Sequence, residues 1–135
     1  MLQAHELAYI AGFFDGEGSI VITTGKGGRL VMNVVIVQTD RDILEWIRAS
    51  LGCGGGIYSR SRAGSLGKKE AFALQWCGLS AKNVLLQLLP YLRVKKGKAE
   101  IAISFQDTMK RRGVDGTPTN VLVMRELLKD ELKRA

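Results

Sequence analysis

Two acidic side chains stand where a helix disfavours them. Asp15 and Glu17 fall in Asp15-Gly16-Glu17-Gly18, at the end of a segment, residues 4–15, whose Leu7, Ile10 and Phe14 recur at spacings of three and four and share one helical face. The carboxyl end of a helix carries partial negative charge and repels carboxylates. A local preference broken in this way marks a candidate site. Carboxylate oxygens are ligands that Mg2+ prefers. A metal so held can activate water and steady the leaving oxygen in phosphodiester hydrolysis. An ordinary acidic turn is the plain alternative: two glycines in three residues are expected to stop the helix and to permit positive φ.

Cations form a second pattern. The chain of 135 residues holds 20 Lys and Arg against 13 Asp and Glu, a net charge of +7 that favours a polyanionic partner. Residues 19–24 and 29–38 are rich in β-branched side chains and flank Gly25-Lys26-Gly27-Gly28, which predicts a hairpin. A second predicted hairpin joins residues 57–62 to 69–77. Alternation turns Leu30, Met32, Val34 and Ile36, with Phe72, Leu74 and Trp76, toward a core. It leaves Val21, Thr23, Arg29, Asn33, Tyr58, Arg60, Arg62, Lys69 and Gln75 on the opposite face. With Lys26 on the turn, that face suits the major groove of DNA, which admits a strand pair and whose bases Arg and Asn commonly read. A solvated sheet face alternates in the same way.

Helices must position these strands. Asp40, after Thr39, is expected to cap a helix over 41–51, with Ile43, Leu44, Ile47 and Leu51 inward. Ser80 is expected to cap 81–89, which Pro90 ends. Further helices are expected over 95–111 and 121–133, the last with Val121, Met124, Leu128 and Leu132 on one face. The order predicts an α+β fold, αββαββα, with one four-stranded antiparallel sheet, helices on one face and additional C-terminal helices. Residues 1–135 read as a single domain.

The segment Ile10-Ala11-Gly12-Phe13-Phe14-Asp15-Gly16-Glu17-Gly18 closely resembles the motif of the LAGLIDADG homing endonucleases. Val37-Gln38-Thr39-Asp40 and Leu89-Pro90-Tyr91-Leu92-Arg93-Val94-Lys95 are similar to later landmarks of that family, so the likeness spans roughly residues 7–110. The resemblance implies a saddle-shaped sheet lying on double-stranded DNA. It implies Glu17 as metal ligand, with the Gly16 carbonyl beside it, and Mg2+ as cofactor, for which Mn2+ can substitute. Gln38 and Lys95 would complete the catalytic set near the scissile phosphate. Arg60 and Arg62 match strand arginines that read bases, and Asp15 supports the helix end.

A single motif copy implies a homodimer cutting both strands of a roughly palindromic target, leaving 3′ overhangs. The small stripe Ala8, Ala11, Gly12 and Asp15 would let two such helices approach closely along the dyad. Two rivals share the fold: an RNA-binding intron maturase and a catalytically silent DNA-binding protein. No apolar run suggests a membrane span, no secretory signal is seen, and no small-molecule substrate is implied. Cys53 and Cys77 make neither a disulfide framework nor a zinc pattern, which suits an intracellular reducing compartment.

Overall fold

The computed structural model describes residues 2–60, 70–109 and 119–135. Helix α1, Ala4–Glu17, runs straight into strand β1, Gly18–Thr24, with no intervening loop. A tight turn, Lys26–Gly28, leads to β2, Leu30–Gln38. Helix α2, Arg41–Leu51, follows; then come β3, Gly56–Ser59, and β4, Phe72–Cys77. Helix α3 is Gly78–Leu88, α4 is Lys96–Asp107 and α5 is Thr119–Arg134.

The strands make one antiparallel sheet in the order β1-β2-β4-β3, so each hairpin contributes one edge and one central strand. The alternation expected for β2 and β4 holds. Leu30, Met32, Val34, Ile36, Leu74 and Trp76 are buried with Ile10, Phe14, Leu44, Ile47, Leu85, Leu88 and Phe105 from the helices. On α5 the inward line is Leu132 with the half-buried Leu128, Arg125 and Val121, whereas Met124 lies outside it at 53% exposure. Among the described residues no helix is long and apolar enough to cross a membrane.

Several boundaries differ from the sequence pattern: β4 starts only at Phe72 and α4 ends at Asp107. Strand β3 ends at Ser59, although the Arg60 N–H still donates to the Ala71 carbonyl at 2.7 Å. Arg62 and Lys69 lie outside the described residues. Helix α3 begins at Gly78, with Cys77 and not Ser80 before its first turn. Gly78 has φ of +58°, a left-handed conformation that lets β4 turn directly into the helix.

The glycine that follows the acidic pair acts through space rather than through conformation. The helix continues to Glu17, and Gly18 has φ of −87°. A Cβ on Gly18 would lie 2.2 Å from the Phe14 ring, which is fully buried and has nowhere to move. Gly18→Ala is therefore expected to destabilise the chain by about 2 kcal/mol or more, as overpacked cores do. Thermal or urea denaturation measures this, and a wild-type midpoint would refute the packing argument.

Candidate active site and nucleic-acid face

The end of α1, the start of β1, the end of β2 and the approach to α4 meet at one edge of the molecule. Gly18, which follows Glu17, pairs with Ile36, two residues before Gln38. Glu17 is exposed. Among the described residues no hydrogen bond or ion pair holds its carboxylate. Gln38 is half-buried, and its Oε1 accepts from the Thr39 N–H at 2.8 Å and the Thr39 hydroxyl at 3.2 Å. Among the described residues no acceptor takes the Gln38 Nε2 hydrogens.

Lys95 reaches this corner through Asp15. Its Nζ donates to the Asp15 carbonyl at 2.5 Å, neutralising the negative end of α1 beside Glu17. The Asp15 carboxylate accepts from the backbone N–H groups of Arg93 at 2.9 Å and Lys95 at 3.0 Å. Lys95 is the residue that precedes α4. Asp15 thus stands at the carboxyl end of one helix and the amino end of another, where negative charge is favourable. This resolves the misplaced carboxylate: its partner helix lies far along the chain.

Partial burial pushes the Asp15 carboxyl up, but the N–H groups of Arg93, Lys95 and Val94 and the Lys95 charge outweigh it and hold it below the ordinary 3.8. A carboxyl lowered on folding stabilises the protein above its unfolded value, and that stability is lost as pH falls through the folded value. Wild-type stability is expected to decline below about pH 4, and Asp15→Asn is expected to flatten that part of the curve while lowering stability at pH 7. Melting followed against pH distinguishes this from a decline of unchanged slope in the variant.

The expected dimer stripe divides in two. Ala11 is fully buried in the core of its own chain and Asp15 is turned inward onto α4, so neither forms part of an outer face. The exposed line on α1 runs through His5, Ala8, Tyr9, Gly12 and Gly16, with Phe13 half-buried alongside. The rings of Tyr9 and Phe13 stack at 6.4 Å, and Tyr9 meets Trp46 edge-on at 5.8 Å. A Cβ on Gly12 or Gly16 would meet nothing within 4 Å, so packing within the chain requires neither glycine.

The outer sheet face is less basic at its centre than alternation alone suggested. Val21, Val31, Val35 and Val37 share it with Thr23, Asn33 and Gln75, while Arg29, Lys26, Tyr58 and Arg60 are exposed around its margins. Asn33 is only 8% exposed. Its Nδ2 donates to Thr23 Oγ1 at 2.9 Å and to the Val31 carbonyl at 3.3 Å, and its Oδ1 accepts from Gln75 Nε2 at 2.9 Å. Sequence reasoning passed over two exposed cations at the acidic corner. Arg41 covers the Phe72 ring at 5.3 Å, one pairing step from Gln38, and Arg93 follows from its backbone bond to Asp15. An arginine opening a helix beside a strand end was the available signal for Arg41.

Among the described residues no three His, Cys, Asp or Glu side chains gather to hold a metal. One exposed carboxylate per chain nevertheless fits Mg2+, which keeps several waters and takes one or two carboxylates together with phosphate oxygens rather than an all-protein cage.

Residues 4–88 match the model of the LAGLIDADG-like domain. The chain belongs to that family. Among solved structures, this LAGLIDADG chain is similar to the homing endonuclease I-CvuI in complex with the I-CreI target in the presence of Mg, with DNA not cleaved. The identity is 24%, the TM-score is 0.77, and the match covers 96% of this chain and 81% of that one. It is similar to the archaeal intron-encoded homing endonuclease I-Vdi141I complexed with DNA, at 25% identity and TM-score 0.74, covering 96% and 83%. It also matches the LAGLIDADG meganuclease I-AabMI bound to uncleaved DNA, at 21% identity and TM-score 0.75, where 96% of this chain spans 45% of that one. No curated protein matches its sequence. The fold is that of the LAGLIDADG homing endonucleases.

Proposed function

We propose that the chain is a site-specific endonuclease that binds double-stranded DNA as a homodimer and hydrolyses one phosphodiester in each strand. The observation that carries this reading is that Lys95 bonds the Asp15 carbonyl, two residues before Glu17, and Gln38 lies two residues past the partner of Gly18, beside a sheet face that no described element covers. Water-facing sheets normally carry polar side chains. The valines of this face suit a covered surface, where they can meet thymine methyl groups, and the surrounding Lys26, Arg29, Tyr58 and Arg60 suit phosphates and base edges. Arg62 and Lys69 belong to the same proposal on sequence grounds.

Two further facts support a dimer. Gly12 and Gly16 each weaken an exposed helix by about 1 kcal/mol relative to alanine, a cost that a close helix–helix approach offsets. The chain also spans just under half of I-AabMI, as one copy of two would. With α1 against its counterpart along the dyad, the two Glu17 tips come together.

Glu17 would hold Mg2+ or Mn2+ with the Gly16 carbonyl near, and the metal, when bound, would supply an activated water and stabilise the leaving oxygen. Gln38 offers donors to solvent and phosphate, and Lys95 keeps the corner electrically tolerable for Glu17. Cuts on the two strands would be staggered, leaving 3′ overhangs. Relatives described on DNA favour this reading over the RNA-binding one. Selection for cleavage from a randomised duplex library, with Mg2+ and with EDTA, tests it. A recovered palindromic site with metal-dependent 3′ overhangs is the expected result; binding without cutting under any metal would favour the silent protein.

A further inference from the structure

The amide network on the outer sheet face has only one possible polarity. Asn33 Nδ2 spends its two hydrogens on the Thr23 hydroxyl oxygen and the Val31 carbonyl. The Val31 carbonyl is an acceptor with no hydrogen to give, so an Asn33 flip would set two oxygens against each other there. The direction of donation runs from Gln75 through Asn33 to Thr23. Among the described residues no acceptor takes the Thr23 hydroxyl hydrogen and no donor reaches Gln75 Oε1. Thr23 is exposed on β1 and Gln75 is half-buried on β4, with Asn33 between them and nearly closed off.

We propose that Asn33 is a positioning residue for base recognition: it occupies one lone pair of the Thr23 hydroxyl, so that the hydroxyl hydrogen is left to donate, and it leaves Gln75 with its Oε1 and a second N–H to offer. This rests on the reading of the sheet face as a DNA-binding surface. A hydroxyl biased toward donation at Thr23 favours base edges that accept, such as guanine N7 and O6 or thymine O4. Gln75, offering one acceptor and one donor, matches adenine, whose major-groove edge offers one of each. Asn33 itself reads nothing; held below the surface, it sets what its two neighbours can say. Networks of this kind act as units, which is why single contacts do not describe them.

The test is a binding selection with the full chain on a randomised duplex library, scored as base preference at each position. Asn33→Asp keeps an acceptor for Gln75 and sets an oxygen against the Val31 carbonyl, but gives Thr23 an acceptor to donate into, so Thr23 turns lone pairs outward. Preference at one position per half-site is expected to shift about tenfold toward pairs that present a donor there, with the adenine position unchanged. Asn33→Ala, which places no carboxylate under the surface, frees both neighbours and is expected to cut preference at both positions to about threefold or less. Thr23→Val is expected to erase the first preference alone, and Thr23→Ser to retain it. Thermal melting of each variant separates these effects from loss of fold, because destabilisation weakens all sites alike. Unchanged preferences in Asn33→Ala, with wild-type selection intact, overturn the positioning role and leave the DNA reading standing. A wild-type chain that selects no sequence overturns both.

Discussion

Glu17→Gln is expected to reduce DNA cleavage by about a thousandfold or more while leaving target affinity within a few-fold of wild type. The magnitude follows from the several kcal/mol that a metal contributes to hydrolysis at each strand, at about 1.4 kcal/mol for each factor of ten. The amide nearly matches the acid in size, and the exposed side chain makes no bond within the described chain, so folding has little at stake. Binding should persist because the cations and hydrogen-bonding groups of the sheet face lie elsewhere on the molecule. A titration of labelled duplex beside a cleavage time course separates the two quantities. Cutting at the wild-type rate would remove Glu17 from the mechanism, and a parallel loss of binding would assign it to affinity instead.

If the chain dimerises through α1 as proposed, Gly12→Leu is expected to leave it monomeric and to lower double-strand cleavage by about a hundredfold or more. Helix α1 offers the reason twice over. A side chain at Gly12 meets no atom of its own chain within 4 Å, and leucine is a better helix former than glycine by about 0.5–1 kcal/mol. The isolated chain should therefore be as stable as wild type or slightly more so. A second helix packed backbone to backbone cannot accept the isobutyl group, because closely packed interfaces do not yield by several ångströms. Sedimentation measures the association, and denaturation at low protein concentration measures the chain. The combination of lost association and preserved folding is the signature; a dimer that survives the leucine would place the seam elsewhere.

Much of this site was legible in the order of residues. Local rules sufficed for the hairpins: β-branched runs around Gly25-Lys26-Gly27-Gly28, and alternation that puts Leu30, Met32, Val34 and Ile36 inward. The motif around Glu17 pointed to both the chemistry and the family. Helical phase was harder. The assignment of Ala11 to an outer stripe failed because residues along a helix turn through about 100° each, so the stripe through Ala8, Ala11, Gly12 and Asp15 and the exposed line through His5, Ala8, Tyr9, Gly12 and Gly16 share two residues and differ by a rotation that small side chains do not reveal. Core packing against α3 and the sheet chose between them.

Asp15 and Asn33 show what composition and spacing do not reach. The partners of Asp15 are 78 and 80 residues away, at the approach to α4, and nothing near Asp15 announces that a second helix will bring its amino end there. Asn33 was placed on the correct face by alternation, yet its burial and its fixed amide depend on a neighbour 42 residues distant. The amino-acid sequence by itself determined the two hairpins, the face each residue of β2 occupies and the carboxylate at the tip of α1, because those depend on local periodicity and on chemistry carried by single side chains. The tertiary structure alone decided which carboxylate stays exposed, which one joins two helix ends, and which amide is hidden between Thr23 and Gln75, because each depends on elements that only folding brings together.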